Sequence, residues 1–231
     1  MNPIIDVIIP AYNEAESIAK VIADIPTNIR DIIVVSNNST DDTEVNAKGA
    51  GATVLKEPNK GYGYACLKGM QYIAGKQPLP DIVVFLDGDY SDYPEELTTL
   101  VAPIIKENLD FVLGARTKAL REEGSMTGPQ IFGNWLATSL MRILYRSTFT
   151  DLGPFRAIKY DKLVALSMQD KTYGWTVEMQ LKALRKKYRY REIPVHYRNR
   201  IGVSKVSGTV KGAIFAGVKI LGWIFKYGFT K

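Results

Sequence analysis

Cysteine and histidine each occur once in this chain of 231 residues, as Cys66 and His196. A lone cysteine leaves no partner for an internal disulfide and fits a reducing compartment. Cys66 itself reads as a small buried helix residue. No uncharged apolar stretch reaches 18 residues, so no transmembrane helix is expected. No basic segment followed by an apolar one opens the chain, so no secretory signal is expected either. Internal repeats, low-complexity tracts and linker-like stretches are absent. Acid is scarce toward the far end: residues 182–231 hold 13 Lys/Arg and a single acid, Glu192.

That scarcity belongs to a wider asymmetry. Residues 1–110 carry 8 Lys/Arg and 17 Asp/Glu, whereas residues 111–231 carry 22 and 7. The basic second half is the part that would meet an anion such as a phosphate or a membrane surface. Nucleic acid fits poorly, because no recognition helix or stacking motif accompanies the charge. The remaining composition, 46% hydrophobic and 23% charged, is that of an ordinary soluble globular chain, long enough for one domain with a substantial core.

Residues 1–115 alternate apolar runs with helical patterns. Ile4–Pro10, Ile32–Val35, Thr53–Leu55, Ile82–Leu86 and Phe111–Gly114 read as strands. Between them lie a helix capped by Asn13 with Glu16 in the capping-box position, a helix beginning near Ser39–Asp42, and helices over Tyr64–Ile73 and Pro94–Glu107. This alternation predicts an α/β fold with a mostly parallel sheet covered on both faces. After residue 115 the pattern gives a polar loop over 116–128 and helices over Ile131–Tyr145, Asp161–Ser167 and Thr176–Lys187. A strand follows over Arg189–Pro194. Next come a basic, glycine-punctuated candidate lid over 198–210 and a terminal helix over 211–229. On that helix Ile214, Val218, Leu221 and Phe225 share one face and Lys211, Lys219 and Lys226 another, a pattern suited either to a membrane interface or to the protein's own core.

Each polar cluster of the first half follows an apolar run: Tyr12-Asn13-Glu14, Ser36-Asn37-Asn38, Asp87-Gly88-Asp89, and Arg116. A parallel sheet collects such residues on one rim, where open α/β sheets bind ligands. Asp87 and Asp89, spaced i, i+2 after a buried strand, would point the same way and repel unless a cation joined them. Oxygen-only ligands suit Mg²⁺ or Mn²⁺, which in turn seats a diphosphate.

These segments, with Val7–Glu14, Ile33–Thr43, Lys60-Gly61-Tyr62-Gly63 and Asp87-Gly88-Asp89, resemble a family 2 glycosyltransferase of the GT-A fold. Within the family, Gly114-Ala115-Arg116, Asp151–Arg156, Glu178-Met179 and Arg200–Lys205 are most similar to polyprenyl-phosphate sugar transferases of the dolichyl-phosphate mannose synthase kind. The resemblance implies one domain over 1–231: a nucleotide-sugar half (1–115), an acceptor half (116–210) and the terminal helix. It implies a cytoplasmic, peripheral, metal-dependent, inverting enzyme that moves a sugar from a nucleotide-diphosphate sugar to a polyprenyl phosphate.

Pro10, Ala11, Tyr12 and Glu14 would line the donor pocket, with Asn37 at the base and Gly61 and Gly63 bringing backbone close. Asp87 and Asp89 would hold the metal. Arg198, Arg200 and Lys205 would meet the donor diphosphate, and Arg116, Arg142, Arg156 and Glu178 the acceptor. Asp151 would be the base if the acceptor were a hydroxyl, and His196 is expected to be structural. Ser36 and Asn37 stand where the family commonly carries acids, which leaves UDP and GDP donors both open. A soluble hydroxyl acceptor, a nucleotidyltransferase and a non-catalytic binding module are the alternatives. The nucleotidyltransferase is disfavoured because residues 10–20 contain neither Gly nor Arg.

Overall fold

The computed structural model of the chain describes residues 3–202 and 210–229. Seven strands form one sheet: β1 (Ile5–Ala11), β2 (Asp31–Ser36), β3 (Thr53–Lys56), β4 (Ile82–Phe85), β5 (Phe111–Ala115), β6 (Arg156–Lys159) and β7 (Tyr190–Pro194). Their order across the sheet is β3-β2-β1-β4-β6-β5-β7. All run parallel except β6, which is antiparallel to both β4 and β5. The mostly parallel sheet follows the sequence expectation, and the inserted antiparallel strand is new. β6 is four residues long and follows a Gly-Pro turn, so no periodicity betrays it.

The strands are apolar on both sides because helices cover both faces. On one face Ile5, Val7 and Ile9 of β1 pack with Val84 of β4 against α1 (Ile18–Asp24) and α4 (Leu97–Glu107). On the other, Ile8, Val83, Phe85 and Phe111 meet α3 (Tyr62–Ala74), α5 (Gly128–Tyr145), α7 (Trp175–Arg185) and α8 (Val210–Phe229). Each fully buried Ile or Phe of this kind contributes about 2 kcal/mol. Two short helices, α2 (Thr43–Gly49) and α6 (Tyr160–Leu166), complete the connections. Cys66 lies buried in α3, as expected.

Three local expectations change. Asn13 does not cap α1, whose N-cap is Ser17. Asn13 instead adopts a left-handed φ of 55° and accepts a hydrogen bond from Thr40 N at 2.8 Å, tying the loop after β1 to that after β2. Helix α5 starts at Gly128, three residues before the expected Ile131, because Thr127 and Gln130 form a capping box. The core-facing stripe of α8 is Ile220, Trp223, Ile224 and Tyr227 rather than the face containing Val218 and Phe225, both of which are exposed.

Candidate active site

Topology gathers the site. The carboxyl ends of β1, β2, β4, β5 and β7 share one rim, and antiparallel β6 begins there, so the residues just before it arrive at the same edge. Tyr12, Glu14, Asn37, Asp87, Asp89, Arg116, Asp151, Arg198 and Arg200 therefore sit on one side of the sheet. Lys205 and the other residues of 203–209 lie outside the described residues.

The two aspartates leave β4 in a turn rather than in extended backbone. Asp89 is buried; its Oδ1 accepts Ser91 N at 2.9 Å and the Ser91 hydroxyl at 2.5 Å, while its Oδ2 meets the Arg200 guanidinium. Asp87 is half-buried, and its Oδ1 is shut from solvent without a hydrogen-bond partner. Burial pushes the Asp87 carboxyl above the usual carboxylate range, opposed chiefly by Arg200. An orphaned carboxylate oxygen two residues from a second carboxylate is a donor set that suits a hard divalent cation. Among the described residues no group of three or more His, Cys, Asp or Glu side chains forms a ready-made cage. A cation such as Mg²⁺ commonly needs only one or two carboxylates, with substrate phosphate and water as its other ligands.

Arg116 and Asp151 form a closed pair. Asp151 Oδ2 accepts Arg116 N at 2.9 Å and Nε at 2.8 Å, and Oδ1 accepts Nη2 at 2.7 Å. Leu152 N at 2.8 Å completes the set on Oδ1. Burial raises the Asp151 pKa, but the adjoining guanidinium overcomes it, and the carboxyl ends below its ordinary value. The pair opens onto a cavity of about 210 Å³ lined also by Thr117, Lys118, Arg121, Met126, Ile131 and Asn134. Among the described residues neither Lys118 nor Arg121 has an acid partner; Arg121 donates only to the Met126 sulfur, at 3.3 Å. Lys118, Arg121, Ser91 and Asp92 were not singled out in the sequence. The two cations lie in the polar 116–128 segment, and the other two residues stand two and three positions after Asp89.

Asp92 is buried with no partner on either carboxylate oxygen. Burial, and then Asp87, push its pKa up to about 8.

Several expected ligands have other duties. The Arg156 guanidinium is buried and donates to the carbonyls of Pro154, Thr176, Leu152 and Gly153. Burial lowers its pKa to about 10, and it holds the turn before β6 instead of reaching the cavity. Arg142 sits eight residues beyond Asn134 on α5, roughly 12 Å along the axis from the cavity lining. Glu178 is buried, accepts Gln169 N and Asp170 N, and pairs with Lys182 at 2.7 Å, so it fastens the loop before α7. The Asn37 amide is spent on backbone: it donates to Glu57 O and Asn59 O and accepts from Gly61 N.

Gly61, at φ 149°, and Gly63 face the 170–172 loop so closely that a Cβ would lie 2.2 Å from Lys171 O and 2.1 Å from Asp170 O respectively. Their requirement is this close packing. Pro10 and Ala11 are buried at the end of β1, while Tyr12 and Glu14 are half-buried on the rim. His196 pairs with Glu96 at 2.5 Å and its ring lies 5.4 Å from that of Tyr93.

Comparison with known proteins shows the family and the fold. The profile of glycosyl transferase family 2 matches residues 6–166. A glycosyltransferase of Mycobacterium tuberculosis is 35% identical over 215 residues, covering 92% of this chain and 94% of its own. The undecaprenyl-phosphate mannosyltransferase of Micrococcus luteus is 29% identical over 225 residues (91% and 90% covered). The dolichyl-phosphate hexose transferase of Haloferax volcanii is 29% identical over 213 residues (90% and 88%). A crystal structure of glucosyl-3-phosphoglycerate synthase from M. tuberculosis with Mn²⁺, UDP and phosphoglyceric acid has the same GT-A fold, with a TM-score of 0.78 at 21% identity over 100% of this chain and 80% of that one. The chain thus belongs to glycosyl transferase family 2 and is a glycosyltransferase.

Proposed function

We propose that this enzyme moves a sugar from a UDP- or GDP-linked donor to the phosphate of a polyprenyl phosphate, with inversion, using Mg²⁺ or Mn²⁺ held by Asp87 and Asp89. The observation that carries this reading is the pairing of Arg116 with Asp151. A hydroxyl acceptor needs a free base. The expected base, Asp151, has its oxygens filled and its pKa lowered. Asp92, with its raised pKa, does not line the cavity. What the cavity offers is surplus positive charge from Lys118 and Arg121. A phosphate monoester, whose second pKa is about 6, is already an anionic nucleophile at neutral pH and asks for cations, not a base. Relatives named for undecaprenyl-phosphate and dolichyl-phosphate acceptors support the same choice.

In this mechanism Pro10, Ala11, Tyr12 and Glu14 line the donor pocket, and the divalent cation, when bound, neutralises charge developing on the leaving diphosphate. Arg200, beside Asp89, is the described cation that would meet that diphosphate. Lys118, Arg121 and the free N–H groups of Arg116 bind the acceptor phosphate and aim one oxygen at the anomeric carbon. That oxygen bonds to the carbon as the bond to the diphosphate oxygen breaks, and the nucleoside diphosphate departs.

A lipid-linked acceptor also accounts for the exposed apolar side chains of α5 and α8. Phe132 and Trp135 are each 60% exposed and Ile143 75%, joined by Phe215, Val218 and Phe225. Neither helix contains an acid, and no helix among the described residues is long and apolar enough to cross a membrane. A peripheral seat on an anionic bilayer suits such a surface.

The test is transfer from UDP-glucose and GDP-mannose with Mn²⁺, offering undecaprenyl phosphate in micelles or soluble 3-phosphoglycerate. Glycosyl-polyprenyl phosphate detected by mass spectrometry is expected. Transfer to 3-phosphoglycerate alone, with the sugar on its hydroxyl, would replace the lipid phosphate with a soluble hydroxyl acceptor and overturn the argument from the missing base.

A further inference from the structure

The backbone after β7 is sewn to the loop that carries the two aspartates. Arg198 N donates to Ser91 O at 2.9 Å and Ile201 N to Asp89 O at 3.0 Å, and Asp92 bridges Tyr197 in antiparallel fashion. The Arg198 guanidinium lies between two aromatic rings, 3.6 Å from the centroid of Tyr90 and 4.0 Å from that of Tyr93. Quadrupole attraction on both faces anchors it. Although expected to meet the donor, Arg198 is thus a fastening for the segment. Two residues on, the chain delivers Arg200 onto Asp89.

Arg200 there does what a metal ion would do. Asp89 Oδ1 is already taken by the two Ser91 donors, so Oδ2 is the oxygen left for a cation, and Arg200 holds it. Arg200 is also the foremost positive charge acting on Asp87. The guanidinium pairs with Asp89 directly and reaches Asp87 only through its field. A divalent cation at the same oxygen and this guanidinium would repel each other. Of the two partners, the Asp89 side chain is 4% exposed and that of Arg200 31%, so the arginine is the one with room to leave.

We infer that Arg200 is the resident counter-ion of the Asp87–Asp89 pair and exchanges with the divalent cation, so that metal binding releases a guanidinium beside the donor's diphosphate. The inference rests on the metal-dependent reading above. Its consequence is coupling: metal alone must displace Arg200 and binds weakly, while a nucleoside diphosphate gives the released guanidinium a new partner and strengthens metal binding. Linkage requires the reverse effect to be equal.

Calorimetric titration of the intact protein with Mn²⁺ tests this, without nucleotide and with UDP or GDP, for wild type, Arg200→Gln and Arg200→Lys. Circular dichroism would check that each variant folds. Arg200→Gln should tighten nucleotide-free Mn²⁺ binding by about tenfold and shrink the gain that the nucleotide brings. Arg200→Lys keeps the charge and should stay near wild type. Nucleotide-free Mn²⁺ affinity unchanged or weakened in Arg200→Gln, with wild-type Mn²⁺–nucleotide binding intact, would overturn the exchange and leave the metal site standing. Equal tightening in Arg200→Lys would also overturn it, since charge would not be what competes. A wild-type protein that binds Mn²⁺ neither alone nor with UDP or GDP would remove both the exchange and the proposed function.

Discussion

Arg116 and Asp151 hold each other through three hydrogen bonds at the edge of a basic cavity, and neither side chain has much contact with solvent. Breaking such a pair strands a buried charge, which costs about 3–5 kcal/mol. Asp151→Asn should therefore lower the thermal midpoint by about 10 °C for a chain of this length. The sign with pH follows from the lowered Asp151 pKa. The stabilisation is complete above the ordinary aspartate value near 4 and is lost as pH falls through the lower folded value. The gap between wild type and variant in a calorimetric melt should be constant near neutrality and close in acid. A gap that widened in acid would contradict the pairing. Single residues such as Asp87, Asp89 and Arg116 are legible in the sequence because each directly follows an apolar run. Arg156 and Glu178 look equally promising there. Their burial, and the carbonyls and amides that consume their hydrogen bonds, come from segments brought together only in the folded chain.

At the scale of elements, strands and helices read from periodicity stand where expected, since alternation and amphipathic spacing are local properties. The face that a helix buries is not always local. α8 turns Trp223 inward because Asp170 accepts its indole N–H at 2.6 Å, and Lys219 reaches the same carboxylate at 3.2 Å. Val218 and Phe225 are thereby left outside, beside an α5 that exposes Phe132 and Trp135. If these apolar surfaces seat on a bilayer, the Phe132→Ser, Trp135→Ser double variant should lose flotation with phosphatidylglycerol vesicles. Its melting temperature should change little, because exposed side chains contribute little to the core. Undiminished flotation would assign membrane contact elsewhere.

The whole molecule places an acidic half and a basic half on one sheet, so that carboxylates after β4 and cations after β5 and β7 face one crevice. Ligands that fill such a crevice stabilise the fold by mass action, by about 2.7 kcal/mol at a hundred times Kd. UDP or GDP together with Mn²⁺ should raise the melting temperature by about 5 °C or more. The same nucleotide with EDTA should give little shift. An equal shift in EDTA would show that the nucleotide binds without a metal at Asp87 and Asp89.

The order of apolar runs and the polar residues that close them determined, by itself, the α/β architecture and a rim of polar clusters, because strand periodicity and parallel connection are written into neighbouring residues, while the family was legible only through the resemblance of those motifs. Which charges remain available was decided only in three dimensions. Hydrogen-bond satisfaction is a property of the assembled chain: it retired Arg156, Glu178 and Asn37 into the scaffold, closed Asp151 onto Arg116, and set Arg200 upon Asp89.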